Sequence, residues 1–221
     1  TLSVRHGAAH VLHLRGRTDQ AETEYRTVLA DCIDTLGARH PGTLAVRHNL
    51  ADLLMDRGQL ESAEQEFRVV YEARRTVLGE QHLLTLSVRH GAAHVLHLRG
   101  RTDQAETEYR TVLADCVENL GARHPGTLAV RHNLADLLRA RGELALSEAE
   151  FTEVRAACEE VLGERHPRTR AAEEALRQVA RLRAGTRAAD DAPPRPPGGD
   201  PDGQPPDPTT AGDPDSAPAG S

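Results

Sequence analysis

Three histidines at helical spacing, His6, His10 and His13, return unchanged as His90, His94 and His97. His6 and His10 stand four residues apart, the separation that places two imidazoles on one helix face and, in zinc hydrolases, on one metal. Such a site needs a Glu directly after the first His as general base. Here the segment reads His-Gly-Ala-Ala-His, with Gly7 in that place, so hydrolysis fails at that residue. A non-catalytic metal site is the lesser reading, because imidazole is a common ligand; a solvated strip of histidines is the greater. At 100° per residue the three side chains fall within an arc of about 60°, away from Val4, Ala8 and Leu12. They are expected to share one exposed strip. No Ser/His/Asp or Cys/His arrangement stands out, and a chain without Lys cannot hold the phosphate-binding GxxxxGK[ST] loop. The sequence points to no catalytic residue, no resident metal and no cofactor.

The strip is carried by a duplicated segment. Thr1–Leu54 reappears as Thr85–Leu138, with Ile33, Asp34 and Thr35 replaced by Val117, Glu118 and Asn119. The pairs Leu36-Gly37, Leu78-Gly79, Leu120-Gly121 and Leu162-Gly163 recur every 42 residues without insertion. A period in that range signals stacked units that bury their apolar faces against one another. In residues 43–84, Leu44, Val46, Leu50, Ala51, Leu53 and Leu54 repeat at helical spacing up to Arg57-Gly58, and Leu60, Ala63, Phe67, Val70, Tyr71 and Val77 do so up to Leu78-Gly79. Each unit thus reads as helix A, a Gly turn, helix B and a Leu-Gly-x-x-His-Pro connector. In that connector Pro suits the first helical turn, Thr43 can cap it, and His40, His124 and His166 are also placed to cap the helix that follows. His82 precedes Leu83 where the others precede Pro, so the third helix A is expected to start less sharply. Tyr25, Phe67, Tyr109 and Phe151 keep one phase and read as core packing.

Charge and composition exclude several partners. The net charge is −7, and the segment from Thr186 onward carries seven Asp and two Arg, leaving the repeats close to neutral. No basic stripe exists for nucleic acid, and no apolar run is long enough for a membrane span. Cys32, Cys116 and Cys158 share a phase with Arg74, and a position that accepts Arg is not expected to be deep core. Three scattered thiols without a CxxC pair suit a reducing cytoplasm. The absence of Lys, with abundant Ala, Gly and Pro, suggests a GC-rich bacterial genome. The chain opens in mid-unit, in phase with Thr43, which suggests a piece of a longer protein.

The string Leu-Gly-x-x-His-Pro-x-Thr-Leu-x-x-Arg-x-Asn-Leu-Ala-x-x-Leu-x-x-x-Gly-x-x-x-x-Ala-Glu at Leu36–Glu64 resembles the 42-residue tetratricopeptide repeats of kinesin light chains. The resemblance covers about residues 1–184. It implies an all-α, right-handed α-solenoid of antiparallel hairpins, with units 1–42, 43–84, 85–126 and 127–168, a closing helix over 169–185 and a tail over 186–221. It also implies that Ala9, Ala51, Ala93 and Ala135 pack on Ala21, Ala63 and Ala105, with Ser147 as a looser fourth contact. In such arrays a bound peptide or protein touches the helix A residues of a concave groove. By register these are His6, His10, His13, His48, Asp52, Met55, Asp56, His90, His94, His97, His132, Asp136 and Arg139. A clamp for a terminal carboxylate needs Lys, Arg and Asn in this strip, and Arg139 is its only cation. The function implied is a non-enzymatic scaffold for a protein or peptide partner. Similar bacterial arrays follow nucleotide-binding signalling ATPase domains, so an NB-ARC-like sensor arm is the alternative. With reference values near 6.5, the imidazoles are expected to gain charge between about pH 7.5 and 5, turning a mildly acidic strip positive.

The two ends differ. Thr1–Gly16 is an internal type of helix A whose Leu2, Val4, Val11 and Leu14 suit a preceding unit, so self-association through that end is expected. The tail holds ten of the thirteen prolines and no Leu, Ile, Val or aromatic residue, a composition that cannot bury enough apolar surface to order itself. Deleting Thr186–Ser221 is therefore expected to leave the thermal midpoint of the array unchanged. Circular dichroism melts of the two chains would show this, and a drop of several degrees would count against a disordered tail.

Overall fold

The computed structural model describes residues 1–190, which form nine helices. They are α1 (Leu2–Leu14), α2 (Thr18–Leu36), α3 (Pro41–Asp56), α4 (Leu60–Leu78), α5 (Leu83–Leu98), α6 (Thr102–Leu120), α7 (Pro125–Ala140), α8 (Leu144–Leu162) and α9 (Pro167–Asp190). Each A helix turns into its B helix through the same hydrogen-bonded cap. After α1 the Gly16 N–H donates to the His13 carbonyl (2.9 Å) and the Arg17 N–H to the Leu12 carbonyl (2.9 Å). This closure puts Gly16 at φ 71°, a conformation that costs glycine nothing. The B helices end at Gly37, Gly79, Gly121 and Gly163, again with positive φ.

The connector histidines cap the A helices as expected. Nδ1 of His40, His124 and His166 accepts the N–H of Gly42 (3.1 Å), Gly126 (3.1 Å) and Arg168 (3.2 Å). His82 accepts the Leu84 N–H in the same way at 3.1 Å, and α5 begins as sharply as its counterparts. Proline at that position is therefore dispensable, because the imidazole supplies the cap. Thr43 does not cap. Its buried hydroxyl donates back to the Gly37 carbonyl at 2.8 Å, and Thr127 does the same to Gly121 at 2.8 Å. The hydroxyl of Thr85 is buried without a partner.

Every helix packs on its chain neighbours, and α1, α3, α5 and α7 also touch in succession while the B helices stand further apart. The A helices therefore form the inner face of an all-α solenoid. Ala9, Ala51, Ala93 and Ala135 and their partners Ala21, Ala63 and Ala105 are fully buried. Ser147 does not loosen the fourth contact, because its buried hydroxyl donates to the Ala135 carbonyl at 2.8 Å. Tyr25, Phe67, Tyr109 and Phe151 are also at 0 % exposure, each contributing about 1.5–3 kcal/mol by burial.

Other expectations are corrected. Cys32, Cys116 and Cys158 are deep core at 1–3 % exposure, and Arg74 in the same phase is buried too. The thiols act as small apolar groups, and Arg74 is accommodated because its Nη1 donates to the Leu84 carbonyl at 2.9 Å. The closing helix begins at Pro167 and extends to Asp190, beyond the expected limits of 169 and 185. The tail from residue 191 lies outside the described residues. On α1, Val4 and Leu14 are exposed at 68 % and 73 %, but Leu98, the counterpart of Leu14 within the array, is itself 49 % exposed. Leu14 is thus no seam residue.

Ion pairs reinforce the stack. Glu22–Arg26 and Glu106–Arg110 form within their helices, at roughly 0.2–0.5 kcal/mol each. Glu64 departs from this pattern and pairs across the seam with Arg99 and Arg101. The same cross-seam contact joins Arg57 to Glu22 (3.0 Å), Arg141 to Glu106 (2.8 Å) and Arg183 to Glu148. The i, i+4 pattern is therefore only half the role of these glutamates.

Phe67 lies at the α4–α5 seam against Gly91. Phe67→Ala is expected to cost about 3–5 kcal/mol through the cavity it leaves. Chemical denaturation would measure this, and a change within error would show that the ring carries no seam.

Candidate functional site

The inner face brings the histidines and acids of four helices together. His13 of α1 reaches Asp56 of α3, Nε2 to Oδ2, at 2.8 Å. Within α3, His48 faces Asp52 at 3.4 Å, and within α7, His132 faces Asp136 at 3.4 Å. Arg139 donates to the same Asp136 at 2.9 Å. On α5, burial lowers His94 while the charges of Asp56 and Asp136 pull it the other way. Met55 is half-buried, packed against the core.

The expected exposed strip is only partly that. His10 is exposed, whereas His6, His13, His48, His90, His94, His97 and His132 are half-buried. The cause is the seam ring beneath them. His6, His48, His90 and His132 lie against Tyr25, Phe67, Tyr109 and Phe151, at centroid separations of 6.0, 5.6, 6.1 and 5.2 Å. A residue placed over a buried aromatic loses water on one side.

Two residues escaped the sequence reading. Asn49 Nδ2 lies 2.8 Å from His6 Nε2, and Asn133 Nδ2 lies 2.9 Å from His90 Nε2. Each bond joins successive A helices. With the amide donating, the imidazole accepts at Nε2 and is neutral. The signal was the paired recurrence of His and Asn at a spacing of 43 residues, visible only once the A helices are known to be adjacent. Arg74 is the third addition, a buried cation near His48 and Asp52.

Burial also moves the titrations. Loss of water pushes His48 down to about 4, helped by the charge of Arg74, and pushes His90 down to about 4, helped by His94 and His48. His6, His94 and His97 are lowered for the same first reason. Asp52 moves up to about 6 through burial and the neighbouring Asp56, against the pull of His13 and Arg74. Asp136 is held below the usual carboxylate range; burial opposes this, but the hydrogen bonds and charges of His132 and Arg139 prevail. The change expected between pH 7.5 and 5 is therefore split: Asp52 loses its charge near 6, while His48 and His90 gain theirs only near 4.

Among the described residues, no three His, Cys, Asp or Glu side chains converge as a metal would require. A cleft of about 240 Å³ opens beside Leu128, His132, Asn133, Cys158 and Arg168, between α7, α8 and α9.

The tetratricopeptide repeat model matches residues 1–76, 49–116 and 84–153. The chain belongs to the tetratricopeptide repeat family. No curated protein matches it. Among solved structures it is similar to the nearly identical TPR-like repeats of a putative kinesin light chain from Podosopora anserina, at 25 % identity and a TM-score of 0.67, covering 86 % of this chain and 90 % of that one. A single-substitution variant of those repeats matches at 25 % identity and a TM-score of 0.68, with 86 % and 89 % covered. BtubC (BKLC) from P. vanneervenii shares the fold at 17 % identity and a TM-score of 0.61, with 87 % and 82 % covered. The repeats are thus tetratricopeptide repeats of the kinesin-light-chain type, a class that mediates protein–protein interaction. Among the described residues, no helix is long and apolar enough to cross a membrane.

The shifted titrations predict how stability responds to acid. His48 and His90 have folded values below their unfolded ones, so their contribution is complete above about pH 6.5 and is lost as pH falls towards 4. Asp52, raised to about 6, acts in the opposite sense, favouring the folded state as pH falls below 6. Two histidines outweigh one carboxylate, so the thermal midpoint should fall between pH 6.5 and 4. Combining His48→Gln with His90→Gln should flatten that fall, and an unchanged slope would show that neither ring is held neutral.

Proposed function

We propose that this array is a non-enzymatic scaffold that holds a basic or polar segment of a protein partner in the groove of its A helices. The observations that carry the reading are the His13–Asp56 contact between α1 and α3 and the His48–Asp52 and His132–Asp136 pairs on the same face of α3 and α7. At neutral pH the buried imidazoles are uncharged and Arg139 offsets Asp136, so Asp52 and Asp56 set the sign of the groove, with Arg74 buried. Carboxylates lining a groove attract cationic segments and turn away acidic ones. His6, His10, His13, His48, His90, His94, His97 and His132 contribute shape and hydrogen bonds. The three buried thiols favour a reducing compartment such as the cytoplasm.

The groove reading is tested with a labelled peptide of alternating Arg and Ser, followed by fluorescence anisotropy. Binding is expected at pH 7, weakened about tenfold by combining Asp52→Asn with Asp56→Asn and weakened by added salt. As pH falls, affinity should drop first near 6, where Asp52 gains a proton, and again near 4, where His48 and His90 become cations. Equal binding of an Asp-Ser peptide at pH 7, or no effect of the two substitutions, would defeat the proposal.

A further inference from the structure

The outer face of α4 differs from that of α2 and α6. Those two helices carry Asp31 and Asp115, paired to Arg5 and Arg89 of the A helix before them, whereas α4 has Ala73 in that phase. The seam does not suffer, because Arg47 of α3 takes Glu66 instead, at 2.6 Å. Thr27 and Thr35 of the first unit likewise give way to Val69 and Val77, which are 44 % and 68 % exposed. An apolar strip thus faces water where the packing of the array does not require one.

Two arginines beside this strip lack the carboxylates that hold their counterparts. Arg26 and Arg110 pair with Glu22 and Glu106 one turn back, but Glu64 reaches across the seam to Arg99. Arg68 is left exposed, with no ion pair among the described residues. In the connector between α6 and α7, Arg123 binds Glu160 of α8 at 2.5 Å. Arg39 holds that place between α2 and α3, and Thr76 stands where Glu160 would be, so no carboxylate answers it. The geometry follows the chemistry. The cleft between Arg39 and α4 measures about 490 Å³, against about 270 Å³ for the one lined by Arg123 and Glu160. Glu72 is the only acid lining it among the described residues, and Arg75 already holds that carboxylate at 2.9 Å.

We propose that this outer cleft is a docking site for an acidic, aliphatic segment of a partner protein. A side chain such as Leu lies on Val69, Ala73 and Val77, and carboxylates to either side of it meet Arg39 and Arg68. The apolar wall selects the aliphatic group, and two unpaired guanidiniums select the sign of its neighbours. Both walls lie inside the array, with α1 before them and α5 to α9 after. A further repeat would stack along the axis at either end, so it would not cover them. The site is on the outer side of the solenoid, away from the histidine strip and opposite to it in sign.

The test uses the full chain and a labelled peptide, Ser-Asp-Glu-Leu-Asp-Glu-Ser, followed by fluorescence anisotropy. Saturable one-to-one binding is expected, weakened by added salt and about tenfold weaker when Arg39→Ala is combined with Arg68→Ala. Thr76→Glu should weaken it as much, by giving Arg39 the partner that Arg123 has. Because Thr76 is exposed, that substitution should leave the melting curve intact, separating blocked docking from unfolding. Replacing the Leu of the peptide by Ser should also weaken binding, whereas combining Asp52→Asn with Asp56→Asn in the chain should not, which keeps this site distinct from the groove. Absence of saturable binding, equal binding to the Thr76→Glu chain, or equal binding of the peptide without Leu would overturn the proposal. A chain dimer in sedimentation that Thr76→Glu abolishes would overturn it by assigning the face to a second copy. Binding that appears only after residues 191–221 are deleted would do so by assigning the face to the chain's own acidic segment.

Discussion

One aromatic ring per unit, closed between a B helix and the next A helix, is the contact on which the rest of this solenoid depends. A single hairpin has one apolar face and nothing of its own to cover it, so each unit is completed only by its neighbour. Tyr25, Phe67, Tyr109 and Phe151 are fully buried. The small residues Ala9, Ala51, Ala93 and Ala135, also fully buried, let the helices approach closely enough to bury those rings. The cross-seam pairs from Arg57, Arg99 and Arg141 then fix the register at the rim. Glu22 and Glu106 are buried and Arg57 and Arg99 half-buried, so these pairs keep desolvated groups matched and give the seam a direction.

The rings also shape the groove. Because His6, His48, His90 and His132 sit against them, the histidines nearest the seams are partly withdrawn from water. Desolvation penalises the charged form, which pushes the titration of His6, His48 and His90 down and raises that of Asp52. The packing of the core thus sets the charge of the inner face.

The seam between the second and third units shows how much irregularity the repeat tolerates. Arg74 stands where the other units have Cys, and Leu83 stands where they have Pro. The two departures meet, since the Arg74 guanidinium donates to the carbonyl of Leu84, the residue after Leu83. The hydroxyl of Thr85 is left without the bond to a connector carbonyl that Thr43 and Thr127 make. The cap nevertheless survives through His82. The stack holds because its main contact, Phe67 against Gly91, is untouched.

Much of this protein was legible in one dimension. The period of 42, the helix pairs, the connector caps at His40, His124 and His166, and the buried aromatic phase all follow from periodicity, because a helix exposes its pattern at fixed intervals. Family resemblance placed the histidines and acids on one face. Periodicity could not say which of two readings a polar residue takes at a seam. Arg74 looked incompatible with a core, because its partner, the Leu84 carbonyl, comes from the next helix. The same limit hid Asn49 and Asn133. The most direct case is the duplicated helix itself, where identical residues give an exposed Val4 and a buried Val88. Sequence alone determined what each helix could bury and which residues share a face; only the stacking decided which faces are covered, because burial depends on the neighbour and not on the residue.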